Sequence, residues 1–365
     1  VQTCASSDLI PATGDVTDED LIARENVVVT ITSTGYAKRT KVDSYKAQKR
    51  GGKGVRGAEL KQDDIVKNFF VCSTHDWILF FTNFGRVYRL KAYELPESGR
   101  AARGQHVANL LEFQPEEKIA QVIQIQSYED APYLVLATQQ GRVKKSRLTD
   151  YESARSAGLI AINLNEGDAL IGAQLVSEGD DILLTSEQGQ AIRFTADDDQ
   201  LRPMGRATAG VKGMRFRGDD QLLSMSVVHD GEFLLVATSG GYGKRTAIEE
   251  YTPQGRGGLG VMTFKYTPKR GKLIGAISID KDDEIFAITS AGGVIRTEVD
   301  QIRPSSRATM GVRLVNLADD VELLAIDRNV EEDGEEDAQA VAKGEKTVDE
   351  VQQEHKAGDA SKDEE

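Results

Sequence analysis

A unit of about 50 residues recurs six times along this chain, and a repeat of that length restricts the fold more than any other feature. Apolar runs lead the units at 27–31, 77–81, 133–136, 182–184, 233–236 and 285–288. Each passes through a polar turn into a glycine: Gly35, Gly85, Gly141, Gly189, Gly241 and Gly292. The near-even spacing of these turn glycines sets the repeat. An apolar run, a turn closed by glycine and a second extended run form a β-hairpin pattern, in which glycine supplies the positive φ. Four residues past every turn glycine stands a cation: Arg39, Arg89, Lys145, Arg193, Arg245 and Arg296.

Each unit carries a second slot, of the form Arg-x-x-x-Gly. Arg50 with Gly54, Arg100 with Gly104, Arg256 with Gly260, and Arg307 with Gly311 all begin at one shared offset from the turn glycine. Arg206 with Gly210 begins slightly later, and in the third unit Arg155 and Gly158 stand one residue closer together. Valine follows the slot glycine at Val55, Val211, Val261 and Val312, which reads as re-entry into a strand. A further aliphatic run closes the units at 119–125, 170–176, 222–228, 273–279 and 323–326. Acidic pairs such as Asp180-Asp181 and Asp282-Asp283 often precede a run, as turn chemistry favours. The unit is therefore about four strands in roughly 50 residues, the size of a propeller blade. No long stretch of the body keeps a 3.6-residue period, so an all-β body with few helices is predicted.

The charge supports this division once it is apportioned. The chain sums to −14, yet residues 1–20 hold five acids and no Lys or Arg, and residues 331–365 hold 14 acids against four lysines. The repeat body is nearly neutral, and its cations recur in fixed slots, so a basic stripe can lie within a neutral sum. Residues 1–20 are read as a linker, 21–330 as the repeat domain, and 331–365 as a disordered acidic tail too poor in large apolar residues to offset chain entropy. Blades are expected at about 27–76, 77–132, 133–180, 181–232, 233–283 and 284–330. Two cysteines, Cys4 and Cys72, in unlike contexts fit a reducing cytoplasm, and no apolar run is long enough to span a membrane.

Catalytic motifs fail on context. Gly-x-Gly-x-x-Gly occurs at 52–57 and 255–260, but a basic loop precedes the first match and a strand follows the second, against the strand–turn–helix a dinucleotide needs. Lys53 is followed by glycine, not by the Ser or Thr of a P-loop. Cys72 and His75 offer two ligands where a structural zinc needs about four. The acidic pairs lack EF-hand spacing. No cofactor and no metal is expected. The cationic slots have two explanations: exposed Lys and Arg guard strand edges, and a ring of them binds a polyanion. Gln48, Lys49, Arg50, Gly51, Gly52, Lys53 and Gly54 favour the second, because glycines allow close backbone approach and N–H groups beside cations cradle phosphate. Tyr36, Tyr45, Tyr88 and Tyr242 lie near the basic slots, to pack there or to meet sugars.

That loop resembles the gyrase-A box, agreeing at all seven positions, and the six-unit repeat resembles the C-terminal domain of gyrase A over 21–330. A second loop, Gln254 to Gly260, resembles the extra box of actinobacterial gyrases but lacks cations at Gly255 and Leu259. The resemblance implies a six-bladed β-pinwheel, a propeller-like disc of four-stranded blades, with double-stranded DNA wrapped on a basic rim without sequence specificity. It also implies partners: the remainder of gyrase A together with gyrase B, in an A2B2 enzyme that supercoils DNA negatively with ATP. The isolated domain is expected to be a cytoplasmic, nucleoid-associated monomer, without membrane association and without cleavage or ATPase activity. The expected DNA contacts are the box residues 48–54, then the turn cations Lys38, Arg39, Arg86, Arg89, Lys144, Lys145, Arg193, Lys244, Arg245 and Arg296, and the slot cations Arg100, Arg103, Arg206, Arg256 and Arg307. The net −10 of 331–365 raises the expectation that the tail folds back and competes with DNA, beside a plain spacer role. A protein-binding propeller and a topoisomerase IV-like bending module remain as alternatives.

Overall fold

The structure, a computed structural model, describes residues 18–45, 64–152 and 157–358. The expected box 48–54, its following Val55, Arg155 and the terminal segments 1–17 and 359–365 lie outside the described residues.

The described chain is built from strands. Unit 1 holds β1 (Asn26–Thr32), β2 (Tyr36–Lys41) and β3 (Val66–Ser73). Unit 2 holds β4 (Trp77–Thr82), β5 (Arg86–Lys91), β6 (Gln105–His106) and β7 (Ile119–Ile125). Unit 3 holds β8 (Tyr133–Thr138), β9 (Arg142–Arg147), β10 (Leu159–Ile160) and β11 (Leu170–Val176). Unit 4 holds β12 (Asp181–Ser186), β13 (Gln190–Thr195), β14 (Val211–Lys212) and β15 (Leu222–Val228). Unit 5 holds β16 (Phe233–Thr238), β17 (Tyr242–Ala247), β18 (Val261–Met262) and β19 (Leu273–Ile279). Unit 6 holds β20 (Glu284–Thr289), β21 (Val294–Glu298), β22 (Val312–Arg313) and β23 (Leu323–Arg328).

Unit and blade are out of step. The two-residue strand after the slot glycine of units 2 to 6 joins the blade before its own, giving the orders β3-β1-β2-β6, β10-β5-β4-β7, β11-β8-β9-β14, β15-β12-β13-β18 and β19-β16-β17-β22. The sixth sheet, β21-β20-β23, has three strands among the described residues. The strands that close successive units, β7, β11, β15, β19 and β23, pack one against the next and line the inner edge of the array. The borrowed strands therefore lie on the outer edge. Blades 2 to 5 are each sandwiched between neighbours, which is why leading strands such as β4 and β12 are apolar and buried on both faces instead of alternating. The core is divided accordingly: one cluster joins Val27 and Ile31 of blade 1 to Ile78 and Phe80 of blade 2, and similar clusters follow around the array.

One turn repeats. The leading strand ends at a Thr or Ser, as at Thr32, Thr138, Ser186 and Thr238, opposite a one-residue bulge in the closing strand at Lys67, Ile171, Leu223 and Ile274. That hydroxyl accepts from the N–H just past the turn glycine: Tyr36 (3.2 Å), Arg142 (3.2 Å), Gln190 (3.1 Å) and Tyr242 (3.2 Å). The signature Thr/Ser-x-x-Gly is thus a turn that satisfies its own donor.

The tail departs from expectation. Residues 331–358, expected to be disordered, form α1 (Glu331–Lys343) and α2 (Val348–Gly358). Acids crowd the N-terminal end of α1, where the helix dipole favours them, and Gly344 closes it in the left-handed conformation. Thr347 and Glu350 form a reciprocal capping box at the start of α2. Ala338, Val341, Val348 and Val351 then bury against Val28, Val42, Tyr45 and Val71 of blade 1. A sparse face of small residues suffices because blade 1 supplies the other half of the core. α1 starts where β23 of blade 6 ends, and Lys67 of β3 pairs with Asp327 of β23 at 3.3 Å. The helices thus span the place where the last blade meets the first. Gly334 seats α1 on Phe69: a Cβ there would lie 2.9 Å from the ring's Cε1 and closer still to Cδ1. Gly334→Ala is expected to raise intrinsic helicity by about 1 kcal/mol yet loosen the docking, read as faster amide hydrogen exchange in α1 and α2. Slower exchange would contradict this packing.

Candidate nucleic-acid interface

The borrowed strands bring the slot loops to the outer edge, where they are tied to one another. Arg206 Nη1 donates to the Ile160 carbonyl (2.9 Å), Arg256 Nη1 to Lys212 (3.0 Å) and Arg307 Nη1 to Met262 (3.0 Å). Backbone bonds run in parallel: Asn163 N–H to Thr208 O (3.0 Å), Arg215 N–H to Gly258 O (2.8 Å) and Lys265 N–H to Thr309 O (3.2 Å). From unit 3 to unit 6 the slots form one continuous belt. The first residue of the second strand fastens several loops from below: Arg86 Nη2 binds Ala157 O (2.8 Å), and Arg142 binds Ala209 O (2.8 Å) and Gly210 O (2.6 Å). Arg270 does the same for Met310 and Gly311.

Many sequence-predicted cations point inward instead of to the edge. Lys38, Lys144, Lys145 and Lys244 are at most 2 % exposed. Lys145 Nζ donates to Ala196 O (2.7 Å) and pairs with Asp198 (3.2 Å). Arg193 pairs with Asp181 (2.7 Å) and Asp230 (3.0 Å), and Arg245 Nε donates to Ile302 O (2.5 Å). Arg39 binds Leu95 O (2.9 Å) and Glu97 (2.9 Å), and Arg296 pairs with Glu284 (2.6 Å). The row of turn cations is therefore largely a row of blade-to-blade joints. Arg89 is different in kind: its guanidinium stacks 4.3 Å from the Trp77 ring and donates to Tyr128. Direct contact with a bound polyanion, expected of all of these residues, is narrowed by burial to the partly exposed ones.

The side chains that do face solvent along the belt include some that the repeat pattern passes over: Lys212, Arg215, Lys265 and Arg313 are exposed. They stand two or five residues past a slot glycine, and that offset was the signal to follow. Tyr242 lies between Arg270 (4.3 Å) and Arg313 (5.0 Å), and Tyr36 carries Arg103 at 3.5 Å. Tyr45 and Tyr88 are buried in the core. Arg100 stacks on Tyr45 (4.3 Å) and pairs with Glu335 of α1 at 2.6 Å. Arg256, the main cation of the second box-like loop, is spent on Gln200 and Lys212 carbonyls.

Cys72 is wholly buried between blades 1 and 2, and burial pushes its thiol well above the ordinary range. His75 contacts Thr74 and the Glu19 carbonyl. No cluster of metal-ligating side chains occurs among the described residues, and no helix there is long and apolar enough to cross a membrane.

Six segments, 26–73, 76–126, 132–177, 180–229, 232–280 and 283–329, match the family described as DNA gyrase C-terminal domain, beta-propeller. The chain is 68 % identical to the DNA gyrase A protein of Mycolicibacterium smegmatis over 89 % of its own length and 39 % of that protein. It is 62 % identical to the DNA gyrase A protein of Streptomyces coelicolor, over 88 % of this chain and 38 % of that protein. The chain thus spans about two fifths of the curated relatives it matches. Among solved structures, a topoisomerase IV C-terminal domain superposes with a TM-score of 0.78 at 27 % identity, over 89 % of this chain and 99 % of that one. A DNA gyrase A C-terminal domain superposes at 0.64 and 28 % identity, over 84 % and 100 %. Six hairpin-led units matched in register by one family, and high identity to gyrase A proteins, place this chain in the family of DNA gyrase C-terminal β-propeller domains.

Proposed function

We propose that this chain binds double-stranded DNA along its outer edge, without sequence specificity, and wraps it chirally in the service of negative supercoiling by a gyrase. The observation that carries this is the continuous belt of arginine–glycine slots from unit 3 to unit 6, with Lys212, Arg215, Lys265 and Arg313 on its surface. A curved path that presents cations at regular steps matches a backbone with one charge per about 1.7 Å. Bending a duplex by 40–90° already costs about 1–6 kcal/mol elastically, so a wrap needs phosphate contacts spread around the edge. If Z phosphates are neutralised, log K falls against log salt with a slope of about −0.9Z. Whole-enzyme supercoiling, its ATP use and assembly with gyrase B and the rest of gyrase A are part of the same proposal. So are a cytoplasmic setting and the box Gln48 to Gly54 as the lock on the DNA end.

Ligation of nicked circular DNA on the chain tests this. A positive linking-number shift is expected after protein removal, lost when Lys49, Arg50 and Lys53 become alanine. Tight, salt-sensitive binding with no shift would remove the wrapping claim. It would favour the second reading, a bending module, to which the better superposition on the topoisomerase IV domain lends weight. Competition by the tail draws support, among the described residues, from the Glu335–Arg100 pair and from Glu331 beside Arg296 and Lys38.

A further inference from the structure

Beneath the belt the repeat has a period of two units. Units 1, 3 and 5 carry a triplet three residues past the turn glycine: Lys38-Arg39-Thr40, Lys144-Lys145-Ser146 and Lys244-Arg245-Thr246. Units 2, 4 and 6 carry Tyr88, Ile192 and Ile295 where the first lysine would stand. In each triplet the middle residue makes a parallel bridge to the next unit, to Glu97, Pro203 or Pro304. The third donates its hydroxyl to Ser98, Met204 or Ser305. The first is a buried ammonium pointed up into the next slot loop.

Lys38 Nζ donates to the carbonyls of Gly99 (3.1 Å), Arg100 (2.5 Å) and Ala102 (2.7 Å). Lys144 Nζ donates to Ala161 and Arg206 carbonyls. Lys244 Nζ donates to the carbonyls of Ser306 (2.7 Å) and Arg307, and to Thr309 Oγ1 (3.2 Å). In all three the slot arginine's own carbonyl is held. No carboxylate pairs with any of these ammonium groups among the described residues. Three buried ammonium groups thus lie under the outer edge, hydrogen-bonded only to neutral oxygens, with Glu331, Asp150 and Glu250 acting on them through space.

A trans peptide is planar, so its N–H points opposite to its C=O. With the Arg100, Arg206 and Arg307 carbonyls drawn inward, the amides of Ala101, Ala207 and Ala308 turn outward. These alanines are exposed, and their N–H groups take no acceptor among the described residues. Unit 5, with no lysine beneath its slot, differs: its corresponding amide, Gly257 N–H, is bonded to Gly213 O at 2.6 Å. Outward N–H groups over a buried cation, beside an arginine, make an anion site.

We propose that the slot loops of units 2, 4 and 6 are preformed phosphate cradles, one on every second blade, in which Lys38, Lys144 and Lys244 are positioning residues and the Ala101, Ala207 and Ala308 amides meet a phosphodiester oxygen. This rests on the DNA-binding reading and sharpens it: contacts along the edge alternate instead of repeating six times. The cradles are not identical. Glu335 holds the Arg100 guanidinium, and Glu250 accepts from Arg307 N–H at 2.9 Å, whereas no carboxylate bonds to the Arg206 loop among the described residues. The unit 4 cradle is the most open of the three.

The test uses the whole 365-residue chain labelled with 15N at alanine and glycine and titrated with a short duplex, while fluorescence anisotropy reports binding in the same samples. The Ala101, Ala207 and Ala308 amides are expected to shift downfield on saturation, Ala207 most, and Gly257 to stay. Lys144→Met should abolish the Ala207 shift and weaken binding about tenfold, with Ala101 and Ala308 as internal reporters of an intact fold. A duplex that binds while the alanine amides stay still, in the unmodified chain, overturns the cradles and leaves DNA binding standing. An Ala207 shift that survives Lys144→Met overturns the lysine's part in it. A duplex that fails to bind overturns both readings together.

Discussion

Alanine in place of Gly260 is expected to destabilise the chain by about 3 kcal/mol, roughly 1–2 from the left-handed backbone and the rest from overlap that a packed interior cannot absorb. Gly260 has φ of +72°, and a Cβ there would stand 2.7 Å from the Ala191 carbonyl carbon and closer still to its oxygen. Both sides of that clash are backbone, so no rotamer relieves it. The cause is the exchange of strands between blades. The slot loop of unit 5 must cross over β13 of blade 4 before β18 can pair with it, with Ala191 opposite Val261. Gly104, Gly210 and Gly311 meet Ala37, Val143 and Gly243 in the same way. Gly255, five residues earlier in the same loop, has open space around it, so Gly255→Ala should change stability by less than about 0.5 kcal/mol. Urea unfolding of the two variants checks the pair. Equal midpoints would mean the crossing is not tight.

A second large effect concerns pH. Burial lowers the ammonium of Lys144 from 10.5 to about 7, and those of Lys38 and Lys244 to about 8. Arg206, Arg100 and Arg307 add to this, while Asp150, Glu331 and Glu250 oppose it. Between these values and 10.5 the unfolded chain binds protons that the folded chain has released. Stability must therefore rise with pH through that window, each lysine adding at most about 1.4 kcal/mol per pH unit. It is fully gained above 10.5 and lost as pH falls through 8 to 7. Tyrosines set the upper limit. Burial raises Tyr45, Tyr88, Tyr151 and Tyr251 from 10.0 to about 12, so the unfolded chain loses these protons first and stability falls from 10 toward 12. Urea midpoints are expected to climb from neutral pH, peak near pH 10 and then decline. A steady fall from neutral pH upward would show that the three lysines remain fully charged in the fold without penalty.

Much of this was legible in the chain itself. Runs such as 77–81 and 233–236, each ending in a turn glycine, announce hairpins because strand pairing between near neighbours leaves a local pattern. The tail's helices were also legible in part: Thr347 with Glu350 is a capping box and Gly344 a helix stop. The expectation of disorder weighed only how little apolar surface the segment could bury by itself. That Val28 and Val71 of blade 1 supply the missing half of the core is a fact of tertiary packing.

The sequence by itself determined the number of units, their hairpins, the family and the row of arginine–glycine slots. It also held the two-unit alternation of Lys38, Lys144 and Lys244, although spacing says nothing of depth. Only the tertiary structure decided which blade each short strand joins. A two-residue strand such as β6 has no period, and Tyr36, the partner of His106, belongs to the preceding unit. Only the tertiary structure decided which cations are joints and which are surface. Lys144 and Lys212 are the same residue type in the same repeat, but one lies at 0 % exposure under a loop of carbonyls and the other stands in solvent. Burial is set by what packs on top, and what packs on top of Lys144 arrives from the next unit of the chain.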